Sequence, residues 1–351
     1  MKSTGGNLRV LLRSSPVVAI ACACFVLQFP VGVDGGLRST LGKVYESLSC
    51  TFSSECCHEP YVRTANKTIK ELHRKLNSKF FGQHLAAEMV ITALSGHLND
   101  PNPKKPLVLS FHGWAGSGKT YLAEMIIDAL YEKGTESNYV RMYSASYHFP
   151  DKDKVAEYQE KLRKEIKATL SACERAVIVF DEVDVTPPSL YDGIVGLLDH
   201  FPFENEVNHK KAIYIFLSNI GSNVITRVAM DAWRAGKNRD DLQFKDFHET
   251  VSMESFNAQS TGFSKTRIIE RVLVDFFIPF LPLEEKHVLE CVQAELNRQG
   301  AKEANSIDPR SVAQKMIFWP PDIKLFSQTG CKRVEALVKY HISAEKLRNE
   351  L

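Results

Sequence analysis

The densest chemistry in this chain of 351 residues is the run Gly113-Trp114-Ala115-Gly116-Ser117-Gly118-Lys119-Thr120. Glycines at these spacings let the backbone turn its N–H groups inward around an anion, and the lysine and hydroxyl that follow supply a mobile cation and an oxygen ligand. The apolar run Leu107-Val-Leu-Ser-Phe111 precedes the loop, and the helix-like run Tyr121–Leu130 follows it. Strand, glycine-rich loop and helix in that order form a phosphate-binding loop, with the helix N-terminus adding partial positive charge. The motif predicts that residues 113–120 bind a nucleotide, with Lys119 reaching the β- and γ-phosphates and Thr120 ligating Mg²⁺. ATP and Mg²⁺ are the expected ligands.

A second element points from binding toward hydrolysis. Ala176-Val-Ile-Val-Phe180 is wholly apolar and β-branched, as a buried parallel strand should be, and it ends in Asp181-Glu182. In P-loop ATPases an acid at such a strand end holds Mg²⁺, and a neighbouring carboxylate can take a proton from the attacking water. Asp181 is therefore the predicted metal residue beside Thr120, and Glu182 the predicted general base.

The remaining pattern says what must position these groups. Apolar strands are expected at 107–111, 139–143, 176–180, 212–218 and around 272–280, separated by helical segments, notably 152–170 and 189–200. Strands alternating with helices imply a parallel sheet covered on both faces, with ligands at the carboxyl ends of the strands. The phosphate loop, Asp181-Glu182 and Ser218-Asn219 all fall at such ends. Helical spacing also runs from Thr68 to Gly96, and Tyr147-His-Phe149 reads as a packing cluster rather than a substrate-gripping one. After Pro279-Phe-Leu-Pro282 the pattern becomes helical only, over 284–299, 311–318 and 331–347.

A formal charge of +2 gives no warrant for nucleic-acid binding. Lys2, Arg9 and Arg13 precede Val17–Leu27, eleven apolar residues. As a helix they would span roughly 16 Å, too short for a ~30 Å hydrocarbon core but suited to a secretory signal. Residues 1–35 are read as that signal and 36–66 as a linker containing cysteines. Of the eight cysteines, Cys50, Cys56, Cys57, Cys173, Cys291 and Cys331 lie beyond the signal. Six cysteines allow fifteen pairings, so connectivity stays open, and Cys173, just before a buried strand, reads as a core thiol. Asn66-Lys-Thr68 is the one glycosylation triplet, and after a secretory signal Asn66 is the expected acceptor.

A phosphate loop, an apolar strand ending in Asp-Glu, a strand ending in Asn and a helical C-terminal lid together resemble the Clp-like branch of the AAA+ ATPases. Phe81-Gly-Gln-His84 resembles the adenine-proximal box of that branch. More narrowly the chain resembles a torsin, in Glu55-Cys-Cys57, Pro103-Lys-Lys-Pro106, His112-Gly-Trp114, Ser171-Ala-Cys173, Ile215-Phe-Leu-Ser-Asn219, Phe280-Leu-Pro-Leu283 and Gly330-Cys-Lys332. The resemblance implies an α/β AAA+ domain over 67–282 and a small helical lid over 283–351. It implies that Asn219 orients the attacking water, that Lys332 senses the γ-phosphate from the lid, and that Cys291 and Cys331 form a redox-responsive pair. It further implies a luminal ATPase of the endoplasmic reticulum and nuclear envelope that forms homo- or hetero-oligomers and remodels protein or membrane-associated clients. The luminal domains of transmembrane activators would supply an arginine finger; Arg271, near where Clp-like relatives carry theirs, is the competing candidate and is otherwise a structural ion pair. Thr120, where many torsins carry Asn or Ser, favours metal binding. Asp34–Lys79 contains no further apolar anchor, so membrane association is expected to be peripheral at most. The alternative is a nucleotide-gated assembly module whose turnover is incidental.

Overall fold

The computed structural model describes residues 55–200, 207–257, 266–300, 304 and 306–350. The expected signal, Cys50 and linker residues 36–54 lie outside these. Among the described residues, β1 (Leu107–His112), β2 (Val140–Ser144), β3 (Val177–Asp181), β4 (Ile213–Ser218) and β5 (Phe276–Pro279) form one parallel sheet, ordered β2-β3-β4-β1-β5. The helices are α1 (Ala65–Lys79), α2 (His84–Asn99), α3 (Lys119–Leu130), α4 (Ala145–His148), α5 (Val155–Ala172), α6 (Ser222–Arg234), α7 (His248–Asn257), α8 (Arg267–Glu270), α9 (Glu285–Gln299), α10 (Pro309–Ala313) and α11 (Val334–Glu350).

Strand side chains alternate between two cores, because successive residues of a strand point to opposite faces. Leu107, Leu109, Phe111, Val177, Val179, Ile213, Ile215 and Leu217 pack against α1, α2 and α3. Val108, Ile178, Phe180, Tyr214 and Phe216 pack on the other face, against α5, α6, α7 and the 3-10 segment Leu190–Leu197. On that second face Tyr143, Phe180 and Phe216 lie in register across β2, β3 and β4 and stack, at 5.3 and 5.1 Å between ring centroids. Such cross-strand aromatic pairs fix the register that brings the strand ends level.

The lid has its own core. Val288, Val292 and Leu296 of α9 form a stripe at helical spacing that meets Val334, Val338 and Ile342 of α11. One departure from the helical pattern occurs at 311–318. The helix there ends at Ala313, and Phe318–Trp319 pairs antiparallel with Phe326–Ser327. β5 begins at Phe276 rather than near Val272, because α8 and a turn at Val272 (φ 55) use the preceding residues.

Cys173 corrects the reading of a core thiol. It caps the end of α5 with its Cα 5.3 Å from that of Cys57, and the two form a disulfide. Cys56 is disulfide-bonded as well. Asn66 is exposed in the first turn of α1, whereas Thr68 of the same triplet is fully buried. Among the described residues no helix is long and apolar enough to cross a membrane.

Candidate functional site

β1 ends at His112 and the chain turns at once through Gly113–Gly118 into α3. Gly116 (φ 78) and Gly118 (φ 104) adopt the left-handed backbone that glycine tolerates best, so the motif's spacing is used as read. A side chain at Gly118 would also press on the Phe80 ring, 3.1 Å away.

Lys119 is buried, and its Nζ donates to the carbonyls of Gly113 (2.7 Å) and Trp114 (3.0 Å) and to Oδ1 of Asn219 (3.0 Å). Burial pushes its ammonium down to about 8, with Asp181 and Asp184 opposing and Lys332 adding to the effect. Thr120 Oγ1 donates to Asp181 Oδ2 at 3.0 Å, joining the two predicted metal residues across 61 positions of sequence. Asn219 is aimed by Asp184, whose carboxylate accepts from the Asn219 backbone N–H (3.1 Å) and from Nδ2 (3.3 Å). That contact leaves Oδ1 as the atom facing Lys119.

Glu182 stands in the left-handed region (φ 60), which costs a residue with a Cβ of order 1 kcal/mol and is found where a side chain must be redirected. Glu182 Oε2 accepts from Ser144 Oγ (2.9 Å) and from the Ser146 backbone N–H (3.3 Å). Hydrogen bonds from Ser146 lead the causes that hold its carboxyl below the usual carboxylate range, so it is ionised at neutral pH.

The lid reaches the loop through the turn Thr329–Lys332. Cys331 N–H donates to Gly116 O (3.3 Å), and a Cβ built on Gly116 would meet Thr329 O at 1.9 Å and Lys332 Cβ at 3.3 Å. Lys332 thus lies beside the phosphate loop, where its charge is felt by both Lys119 and Glu182. The pair Cys291–Cys331 is a disulfide, with Cα atoms 6.2 Å apart, tying this turn to α9.

Several supporting residues escaped the sequence reading. Gln83, expected next to the adenine, is buried and acts as a clamp. Its Nε2 donates to Ser117 O (2.9 Å) and Leu281 O (2.8 Å), while Oε1 accepts from Leu281 N–H (2.9 Å). Buried Arg239 binds Gly82 O and Pro282 O, both at 2.7 Å, and so holds the Gly82 turn to the lid's first residues. Asp184 was open to detection as a third acid just after Asp181-Glu182. Ser144, Ser146 and Arg239 carry no local signal. Tyr147 corrects the packing reading, because it is 81% exposed on the single turn α4 while Phe149 is buried. Arg271 pairs with Asp199 at 3.3 Å.

Two clefts flank the loop. One of about 450 Å³ is lined by Phe80, Phe81, Gly82, His84 and His287, bringing the Gly-Gln segment and the lid together beside Gly118. The other, about 740 Å³, opens on the outer side between Trp114, Arg227, Met230 and Trp319, and none of Lys119, Asp181, Glu182 or Asn219 lines it.

The residues present fit a magnesium–triphosphate group. Ser117 Oγ is buried with no partner among the described residues, and Lys119 Nζ stands against the loop's own Gly113 and Trp114 carbonyls, a cation within reach of an anion bound there. The hydroxyl–carboxylate pair Thr120–Asp181 is the hard-oxygen donor set that Mg²⁺ prefers.

Fold and loop together define a P-loop protein of the AAA+ class. Among solved structures, two of Hsp104 share the fold: a Saccharomyces cerevisiae Hsp104–ADP complex (TM-score 0.57, 18% identity, 82% of this chain) and a closed-state reconstruction of Hsp104 with ATPγS and FITC casein (TM-score 0.54, 17%, 81%). The chain spans about half the length of those Hsp104 chains, 50% and 49% respectively. A family model described as Torsin matches residues 50–180, and one described as Torsin-1A, C-terminal domain, matches 283–341. A Torsin-like protein of Caenorhabditis elegans is 36% identical over 305 residues, covering 86% of this chain and 84% of its own length. A Torsin-like protein of Drosophila melanogaster is 36% identical over 340 residues, with coverage of 93% and 98%. The chain belongs to the torsin family.

Proposed function

We propose that this protein hydrolyses ATP with Mg²⁺ in the lumen of the endoplasmic reticulum and nuclear envelope, and uses the cycle to remodel protein or membrane-associated assemblies. One observation carries the reading: Lys119, Thr120, Asp181 and Asn219, drawn from three strand ends, are joined by 3.0 Å hydrogen bonds into one cluster. Bound Mg²⁺ would neutralise charge on the phosphate oxygens, held by Thr120 and Asp181. The loop's backbone N–H groups and Lys119 bind the phosphates. Asn219 orients the attacking water, Glu182 takes its proton, and Lys332 adds positive charge from the lid. The cleft beside Phe80 and Phe81 offers apolar ring faces to a purine.

The basic-then-apolar N-terminus and the disulfides Cys57–Cys173 and Cys291–Cys331 support an oxidising lumen. With Arg271 engaged by Asp199, the finger arginine is assigned to the luminal domain of a transmembrane activator. One observation favours the assembly-module alternative: the lid turn rests directly on the phosphate loop, so nucleotide state and lid position are mechanically one variable. Phosphate release by purified protein, with and without luminal domains of candidate partners, separates the two. Stimulation of ~10³-fold or more is the scale of a finger arginine. No release above background in any combination sinks the hydrolase reading.

A further inference from the structure

β1 is buried along its whole length and apolar except for Ser110 and His112, two residues apart and therefore on the same face of the strand. Ser110 lies in register between Phe216 of β4 and Phe277 of β5, in the same row as the aromatic stack. His112 is wholly buried with its ring 5.7 Å from that of Phe277. Its Nδ1 is 3.0 Å from Ile220 O and its Nε2 is 2.7 Å from Ser110 Oγ.

These partners settle the proton. A carbonyl oxygen can only accept, so Nδ1 carries the hydrogen and Nε2 accepts from the serine hydroxyl. Burial is the main reason the ring stays neutral, its pKa pushed down to about 4. The main chain meets at the same point. His112 O accepts from Phe280 N–H (2.7 Å), and Gly113 N–H donates to Ser218 O (3.3 Å). His112 therefore joins the last residue before the phosphate loop to the carbonyl of Ile220, the residue after Asn219.

We propose that His112, held as the Nδ1–H tautomer by Ser110, is a positioning residue for Asn219, fixing that side chain against Lys119 through the Ile220 carbonyl. The inference rests on the proposed reading of Asn219 as the residue that orients water at the γ-phosphate, a group that ATP carries and ADP lacks. It gives the buried Ser110–His112 pair a purpose that packing alone does not, since two apolar residues would fill the row equally well. Asn219 needs its Oδ1 placed to a fraction of an ångström, and Asp184 constrains it from one side only. The imidazole constrains the other.

Two measurements test this. The first uses full-length protein labelled with ¹⁵N-histidine, with the His112 signal assigned by its loss in H112N. Nδ1 should be the protonated nitrogen and Nε2 the accepting one, and S110A should weaken that preference. Protonation on Nε2 overturns the proposal without reference to any nucleotide. The second measures dissociation constants for ATP and ADP by calorimetry in wild type, N219A, H112N, H112Q and H112A. Asparagine places an amide N–H where Nδ1 stands, whereas glutamine places its amide near Nε2. H112N should therefore keep the preference for ATP over ADP within ~2-fold, and H112Q and H112A should lose it by ~5-fold or more, the scale of one hydrogen bond. H112N and H112Q should melt at similar temperatures, so lost packing would move them together. Equal behaviour of H112N and H112Q overturns the positioning role while leaving Asn219's intact, provided N219A loses the preference. If N219A itself keeps the preference, the sensing role fails and the positioning role falls with it.

Discussion

The seam between lid and phosphate loop makes the sharpest prediction. Gly116 and Gly330 lie back to back. A Cβ on Gly116 would sit 1.9 Å from Thr329 O, and one on Gly330 would sit 2.0 Å from Gly116 O. Ordinary contact begins at 3.4 Å, so alanine demands a separation of 3.4 − 1.9 = 1.5 Å at the first site and 3.4 − 2.0 = 1.4 Å at the second. Both neighbours are backbone and cannot swing aside. Separation breaks the Cys331–Gly116 hydrogen bond, worth about 1 kcal/mol, and the left-handed backbone adds about 1 kcal/mol more. Gly116→Ala and Gly330→Ala should each cost at least ~2 kcal/mol. Gly236→Ala is the control: its φ is 69, and a Cβ there meets nothing within 4 Å, so it should cost only the ~1 kcal/mol backbone share. Urea titration reads the difference. Tryptophan fluorescence gives a second readout, because Trp114 of the loop and Trp319 of the lid form an edge contact at 6.0 Å that the shift would loosen. If the two seam variants lose no more than Gly236→Ala and the fluorescence is unmoved, the lid does not rest on the loop as described.

Lys119→Ala should abolish nucleotide binding by calorimetry, and Glu182→Gln should bind ATP normally while phosphate release falls ~10²–10⁴-fold. Undiminished release by Glu182→Gln removes that carboxylate from the chemistry. Reducing or replacing Cys57–Cys173, which closes a loop of sequence separation 116, should cost up to ~5 kcal/mol by the chain-entropy relation, read as a fall in urea midpoint with dithiothreitol. An unchanged midpoint would mean the bond is absent or its loop already ordered when unfolded. Acid should destabilise the fold through two buried histidines. Burial holds His112 at about 4, and burial followed by the charges of Arg239 and Lys286 holds His287 at about 3, below the 6.5 of a free imidazole. The unfolded chain then binds more protons, so stability is lost as pH falls through 6.5 and the loss levels off only near those lowered values, about 2 kcal/mol per histidine between pH 7 and 5. Urea titrations at both pH values should show a shallower loss in H112N by that amount, and identical losses in H112N and wild type would refute it.

Much of the sheet was legible, because β1, β3 and β4 are buried on both faces and their apolar runs have no amphipathic ambiguity. The loop's backbone was legible for a related reason: Gly116 and Gly118 take the left-handed conformation at the spacing the sequence sets. What stayed hidden depends on distant partners. Cys57 finds Cys173 only because the end of α5 returns beside it. Gln83 serves as a clamp because Leu281, 198 residues on, is brought to it. α6 carries a clear apolar stripe of Val224, Ile225, Ala229 and Met230 that the reading passed over, whereas Phe318–Trp319 is too short to show a period of two. Glu182's left-handed backbone is invisible in sequence, since the Ser144 and Ser146 groups its carboxylate meets lie almost forty residues upstream.

Glu55 accepts from Ser137 Oγ and from Asn138 N–H, and Cys57 is bonded to Cys173, so the described chain starts beside the amino ends of β2 and β3. The phosphate loop and Asn219 lie at the carboxyl ends, about 17 Å away for strands of five residues. Glu55 and the Cys57–Cys173 disulfide therefore occupy one end of the sheet's strands and the phosphate loop the other, so the bond can be removed without touching a residue of the loop.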